Sequence, residues 1–188
     1  MSESTISPLL ALAAILSVII AIGLFGAVAD PRGGSVRLFM LRHAQVPALA
    51  VAATAMLASL YYSEIADFTP CEFCWYQRIA MYPLAVVLLV AVVSRTRMPA
   101  RFPVVLAIAG LAISIYHYQL QLNPDQATVC SGLGTPCHVQ WVDEFGFVSI
   151  PFMAGCGFLA ILLLYATQWR ARRIERWDGD GDASGDSA

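Results

Sequence analysis

Five apolar runs, each long enough to cross a bilayer, leave this chain few ways to fold. Residues 7–29 (SPLLALAAILSVIIAIGLFGAVA) carry no charge, and roughly 20 apolar residues span the hydrocarbon core. A cleaved signal peptide wants basic residues ahead of its apolar run. Here Glu3 is the only charge there, so the run reads as a retained span. Further runs cover about 44–62, 75–94, 103–120 and 147–167. In lipid every backbone polar group must bond internally, so each run is predicted to be a helix. Composition agrees. The chain is 59% hydrophobic and 13% charged, with a mean hydropathy of +0.68, whereas soluble domains carry about a quarter charged residues. A net charge of -2 and the lack of a basic run argue against nucleic acid as a partner.

Arginine orients the spans. Arg32, Arg37 and Arg42 follow the first run, Arg95, Arg97 and Arg101 the third, and Arg170, Arg172, Arg173 and Arg176 the fifth. Ten of the 11 basic residues thus fall on one side, which should be cytoplasmic. The other side takes the N-terminus and the loops 63–74 and 121–146. The Asp-rich tail 177–188 has almost no apolar content and reads as disordered. The expected location is the plasma membrane, multi-pass, with the C-terminus cytoplasmic.

Four of the five cysteines then face the oxidising, extracytoplasmic side: Cys71 and Cys74 in one loop, Cys130 and Cys137 in the other. Cys71-Glu72-Phe73-Cys74 is a Cys-x-x-Cys unit just ahead of the third span. Cys74 should lie near that helix's N-terminus, where the dipole favours an anion and so the reactive thiolate. Arg78, four residues on, shares its face. An ionisable group at that depth is costly and usually functional. Cys130 and Cys137 bracket SGLGTP, a turn-rich loop able to present a disulfide to a soluble partner. Two bland alternatives stand beside this: static disulfides in a non-enzymatic scaffold, or a zinc site of the four cysteines and His138. An oxidising compartment disfavours keeping four thiolates for zinc, so no metal is expected. Cys156, mid-span among Ala, Gly and Phe, reads as a packing residue. After Cys137, Val139, Trp141, Val142 and Phe145 can share one side of a short surface helix, with Asp143 and Glu144 opposite.

Closing a disulfide releases two electrons and two protons. The sequence holds no haem Cys-x-x-Cys-His and no glycine-rich dinucleotide loop, which leaves a membrane quinone, ubiquinone or menaquinone, as acceptor. Such a site needs a cation or donor and aromatic walls. Arg78, Trp75 and Tyr76 fit, and His117 and Gln121 lie at the same depth on one face of the fourth span.

The stretch Pro70-Cys71-Glu72-Phe73-Cys74-Trp75-Tyr76-Gln77-Arg78-Ile79 with Met81-Tyr82-Pro83-Leu84 resembles the disulfide bond formation protein B (DsbB) family, nearest its BdbC-like branch. Tyr116-His117-Tyr118, the Cys130…Pro136-Cys137 loop and Phe147-Val148-Ser149-Ile150-Pro151-Phe152 share the resemblance. It implies an all-α integral membrane protein: a four-helix transmembrane bundle over 44–168, here preceded by an additional N-terminal transmembrane helix and cytoplasmic link (1–43) and followed by a basic, then acidic tail (169–188). It also implies an enzyme, a quinone-dependent protein disulfide oxidoreductase that reoxidises a DsbA-like thioredoxin-fold protein. By that resemblance Cys71 and Cys74 are the quinone-coupled pair, with Cys74 the donor. Cys130 is attacked by the partner, Cys137 exchanges with Cys71, and Arg78 sits by the quinone, with His117 and Gln121 as weaker matches. In vitamin K epoxide reductase-like proteins the quinone-facing pair follows the loop cysteines, the reverse of the order here. From the residues alone, four cysteines leave three pairings open.

Overall fold

A computed structural model describes residues 3–30, 33–123 and 135–185, with side chains described for 6–30, 33–123 and 135–177. The helices are α1 (Glu3–Ala27), α2 (Gly34–His43), α3 (Gln45–Glu64), α4 (Glu72–Val93), α5 (Arg101–Leu122) and α6 (Ile150–Gly185). Five of them are long and apolar enough to cross a membrane. A 22-residue helix such as α4 is about 33 Å long at 1.5 Å per residue, close to the hydrocarbon thickness. Among the described residues there is no strand, and the one isolated β-bridge joins Glu144 and Val148.

The helices α3, α4, α5 and α6 pack in sequence around a ring, and α1 lies outside it, packed chiefly on α6. Lipid offers little hydrophobic drive between helices, so close packing relies on small residues. Ala48, Ala52, Ala107 and Ala160 are fully buried at these contacts beside Leu84, Leu88, Phe158 and Ile161. Gly110 marks one close approach within the ring. A Cβ built there would overlap the Phe158 side chain, so the phenyl group rests directly on the α5 backbone. At one end of the bundle, Tyr62 Oη donates to Ser7 Oγ (3.2 Å), joining α3 to α1. Near the other, the Arg170 guanidinium stacks 4.8 Å from the centroid of the Phe25 ring, joining α6 to α1.

Three local features go beyond the hydropathy pattern. The link after the first span contains α2, which buries Met40 and leaves Leu38 and Phe39 exposed. Past the membrane span, α6 continues to Gly185: extending an existing helix is far easier than starting one, and RARRIERW supplies good helix formers. Finally, 139–147 forms no surface helix. Phe145 and Gly146 adopt φ of 58° and 75°, a left-handed pair that reverses the chain and lets Glu144 and Val148 exchange backbone bonds at 2.9 Å.

Candidate functional site

Pro70 disfavours helix in the residue before it and Cys71 has an extended backbone (φ -77°, ψ 174°), so α4 starts at Glu72 with Cys71 as its N-cap. The Cys71 sulfur accepts the Cys74 backbone N–H at 3.4 Å, one of the donors a helix start leaves unpaired. The two side chains, both free thiols, meet with sulfurs 3.0 Å apart. His117 approaches from α5, its Nε2 3.4 Å from the Cys71 sulfur and 3.2 Å from the Cys137 carbonyl oxygen. A carbonyl only accepts, so Nε2 carries the hydrogen and the sulfur shares it as an acceptor. The bond from the Cys74 thiol, and then His117, hold the Cys71 thiol well below its ordinary value although burial opposes them. These contacts favour negative charge on the Cys71 sulfur.

One side of this pair faces the second loop. Cys137 is disulfide-bonded and buried, and it packs with Cys71 and Leu120. α5 clamps its loop at three points: His117 on the Cys137 carbonyl, Tyr118 Oη donating to the Phe147 carbonyl at 2.9 Å, and Gln121 Nε2 donating to the Val139 carbonyl at 3.5 Å. Cys130 lies outside the described residues.

The other side opens onto a cavity of about 310 Å³ bounded by α1, α3, α4 and α6, with Cys74 and Arg78 in its wall. Arg78 is oriented by Ser59 of α3: Nε donates to Ser59 Oγ (3.0 Å) and Nη2 to the Ser59 carbonyl (3.1 Å). Tyr82 Oη donates to the same hydroxyl at 3.3 Å. Where the loops meet the cavity, Tyr62, Phe68 and Trp141 stack in series, with centroids 5.7 and 5.0 Å apart.

The proposed cofactor residues are thus divided. Arg78 lines the large cavity. Trp75 does not: it is 54% exposed, and its outward ring lies 5.1 Å from the guanidinium carbon. Tyr76 also points away, toward Glu72 Oε1 (2.8 Å). His117 and Gln121 line a separate, narrow cleft against Pro136 and Val139 on the loop side of the cysteine pair. Equal depth on a helix said nothing about which side of α4 they would face. Gln77 and Tyr82 lie in the Cys71–Leu84 motif and Trp141 in the stretch after Cys137, but neither pattern assigned them a place at the site; Ser59 carries no motif and is 19 residues from Arg78. Among the described residues one group has metal-ligand spacing, Cys71, Cys74 and His117, with ligand atoms within 4.8 Å of one another. Cys156 is a half-buried free thiol in α6.

The chain was compared with known proteins. It is 44% identical over 115 residues to "Disulfide bond formation protein C" of Bacillus subtilis, covering 60% of this chain and 83% of that protein. It is 44% identical over 114 residues to "Probable disulfide formation protein" of Oceanobacillus iheyensis, covering 59% and 78%. A third relative, "Probable disulfide formation protein C" of Halalkalibacterium halodurans, is 43% identical over 115 residues, covering 60% and 82%. No solved structure matches significantly. The family model "Disulfide bond formation protein DsbB" matches residues 41–168, which take in α3, α4, α5 and the part of α6 up to Gln168. The chain belongs to the DsbB family of membrane proteins of disulfide bond formation.

Proposed function

We propose that this protein reoxidises an extracytoplasmic, DsbA-like thioredoxin-fold thiol oxidase and delivers the electrons to a membrane quinone. One observation carries the reading. The Cys71/Cys74 pair sits between two different surroundings, with Cys71 against the Cys137 loop and Cys74 on the wall of an apolar cavity beside a cation. A thiol–disulfide relay to a lipid-soluble acceptor needs both.

The cavity suits a quinone. Its walls are mostly aliphatic, its volume is within the range of ligand pockets, and Arg78 and Gln77 place polar groups at one end. When bound, the quinone supplies a two-electron, two-proton acceptor. The protein's own steps are sulfur exchanges. A partner thiolate attacks Cys130, breaking the bond to Cys137. The released Cys137 thiolate attacks Cys71, breaking the Cys71–Cys74 bond and freeing Cys74 beside Arg78. The partner's second thiol then attacks its own first sulfur, closing the partner's disulfide and releasing Cys130. The Cys130 thiolate attacks Cys137, breaking the Cys137–Cys71 bond, which reforms the loop disulfide and leaves Cys71 and Cys74 as a dithiol. Closing that dithiol again releases two electrons and two protons on the cavity side. His117 serves the exchange, holding negative charge on Cys71 and the Cys137 backbone in reach. The arginine bias supports an orientation with both loops extracytoplasmic and the C-terminus cytoplasmic.

The test follows quinone absorbance as the purified full-length protein is mixed with quinone and a reduced thioredoxin-fold oxidase. Turnover is expected, and Cys71→Ser and Cys74→Ser should each abolish it. Turnover that persists in the Cys74 variant would overturn the assignment. The three clustered donors favour zinc as a competing reading, and stoichiometric zinc in the active preparation would support it.

A further inference from the structure

The segment matched by the family begins at residue 41, so α1 lies outside it, yet α1 forms one side of the large cavity. Leu10, Ala13, Ala14 and Ser17 line it, spaced i, i+3, i+4, i+7 on one helix face. Across the cavity Val51, Thr54, Ala55 and Ala58 of α3 repeat that spacing. Two facing stripes of small residues normally let membrane helices pack closely. Here α1 packs on α6 and makes almost no close contact with α3, and the space left between the stripes is the cavity. On the outer face of α1 the large Leu12, Leu16 and Ile19 are each more than half exposed. At the loop end the gap is closed by Tyr62 donating to Ser7, with Phe68 and Trp141 stacked beyond.

We propose that α1 is a wall of the acceptor site, with Ala13, Ala14 and Ser17 bounding the isoprenoid tail of a quinone whose ring lies toward Cys74 and Arg78. Without α1 this side of the cavity would open to lipid. With it, the small side chains leave room for a flat ring and a chain, and the Ser7–Tyr62 contact limits how far the ring slides toward the loops. The proposal rests on the quinone reading above.

The experiment uses the full-length protein with a long-tailed quinone and a reduced thioredoxin-fold partner. Ala14→Phe puts a ring into the cavity, and the KM for quinone is expected to rise about tenfold or more, equivalent to about 1.4 kcal/mol of binding. Single-turnover exchange with the partner, measured without quinone, should be unchanged, which also shows that the variant is folded. Ile19→Phe, on the lipid face, should alter neither. A wild-type arm avoids dependence on the variant's folding: an azidoquinone should label residues 10–17 on illumination, and excess unmodified quinone should suppress the label. If wild type reduces quinone but Ala14→Phe behaves identically, or labelling spares α1 or survives excess quinone, the wall role falls while the quinone reading stands. If wild type exchanges with the partner but reduces no quinone, that reading falls and takes the wall with it.

Discussion

Replacing His117 by Leu should raise the Cys71 thiol's pKa by an amount the geometry bounds. Nε2 lies 3.4 Å from the sulfur and 3.2 Å from the Cys137 carbonyl. Both acceptors share one N–H, so the substitution removes one charge-assisted bond in a buried setting. Such bonds contribute about 1.5–3 kcal/mol, and one pKa unit corresponds to about 1.4 kcal/mol, so the expected rise is about one to two units. It should not restore the ordinary thiol value of about 8.5, because the larger cause of the lowering, the bond from Cys74, persists. The assay is the rate of iodoacetamide alkylation across pH, with Cys71 and Cys74 as a dithiol and the loop disulfide intact, resolved by mass spectrometry at each peptide. Wild-type Cys71 should react down to acid pH, and His117→Leu should shift the midpoint upward. His117→Gln, whose amide N–H can reach the place of Nε2, should recover most of the shift. An unchanged midpoint in His117→Leu would refute the argument that this imidazole stabilises the thiolate.

Ser59→Ala removes the acceptor of Arg78 Nε but keeps the carbonyl that holds Nη2. As a positioning change it should lower kcat/KM for quinone about tenfold, just under the roughly 1.5–3 kcal/mol of a charged hydrogen bond because the Nη2 bond persists, and leave partner exchange untouched; a parallel loss of both would point to a structural role instead. Gly110→Ala forces a Cβ into the Phe158 ring and should cost about 1–3 kcal/mol as overpacking, seen as a lower thermal midpoint in detergent. Adding Phe158→Leu should recover part of that loss.

How much was legible in the sequence differs between the spans and the site. Each predicted span has its helix within a few residues at its start, 44–62 against Gln45–Glu64 and 103–120 against Arg101–Leu122. A bilayer turns hydropathy and length into structure almost directly, because an unbonded backbone in lipid is prohibitive. The Cys-x-x-Cys unit at a helix start was equally local: Pro70 and the N-cap role of Cys71 lie within one turn of each other. The surface-helix pattern after Cys137 failed because a left-handed Phe145–Gly146 turn outweighed periodicity over so short a stretch.

What only the packed bundle decided is which side of the cysteine pair each neighbour occupies. Arg78 and His117 looked alike in the sequence, each a polar group near the outer end of a span. In the fold Ser59 draws Arg78 toward α3 and the cavity, while the Cys71 sulfur and the Cys137 carbonyl take His117 to the loop side. That division, and the cavity between α1 and α3, depend on helix rotations and on gaps between small residues. Hydropathy is set by each residue's own side chain, whereas a rotation or a gap is set by the side chains of another helix, far away in the sequence.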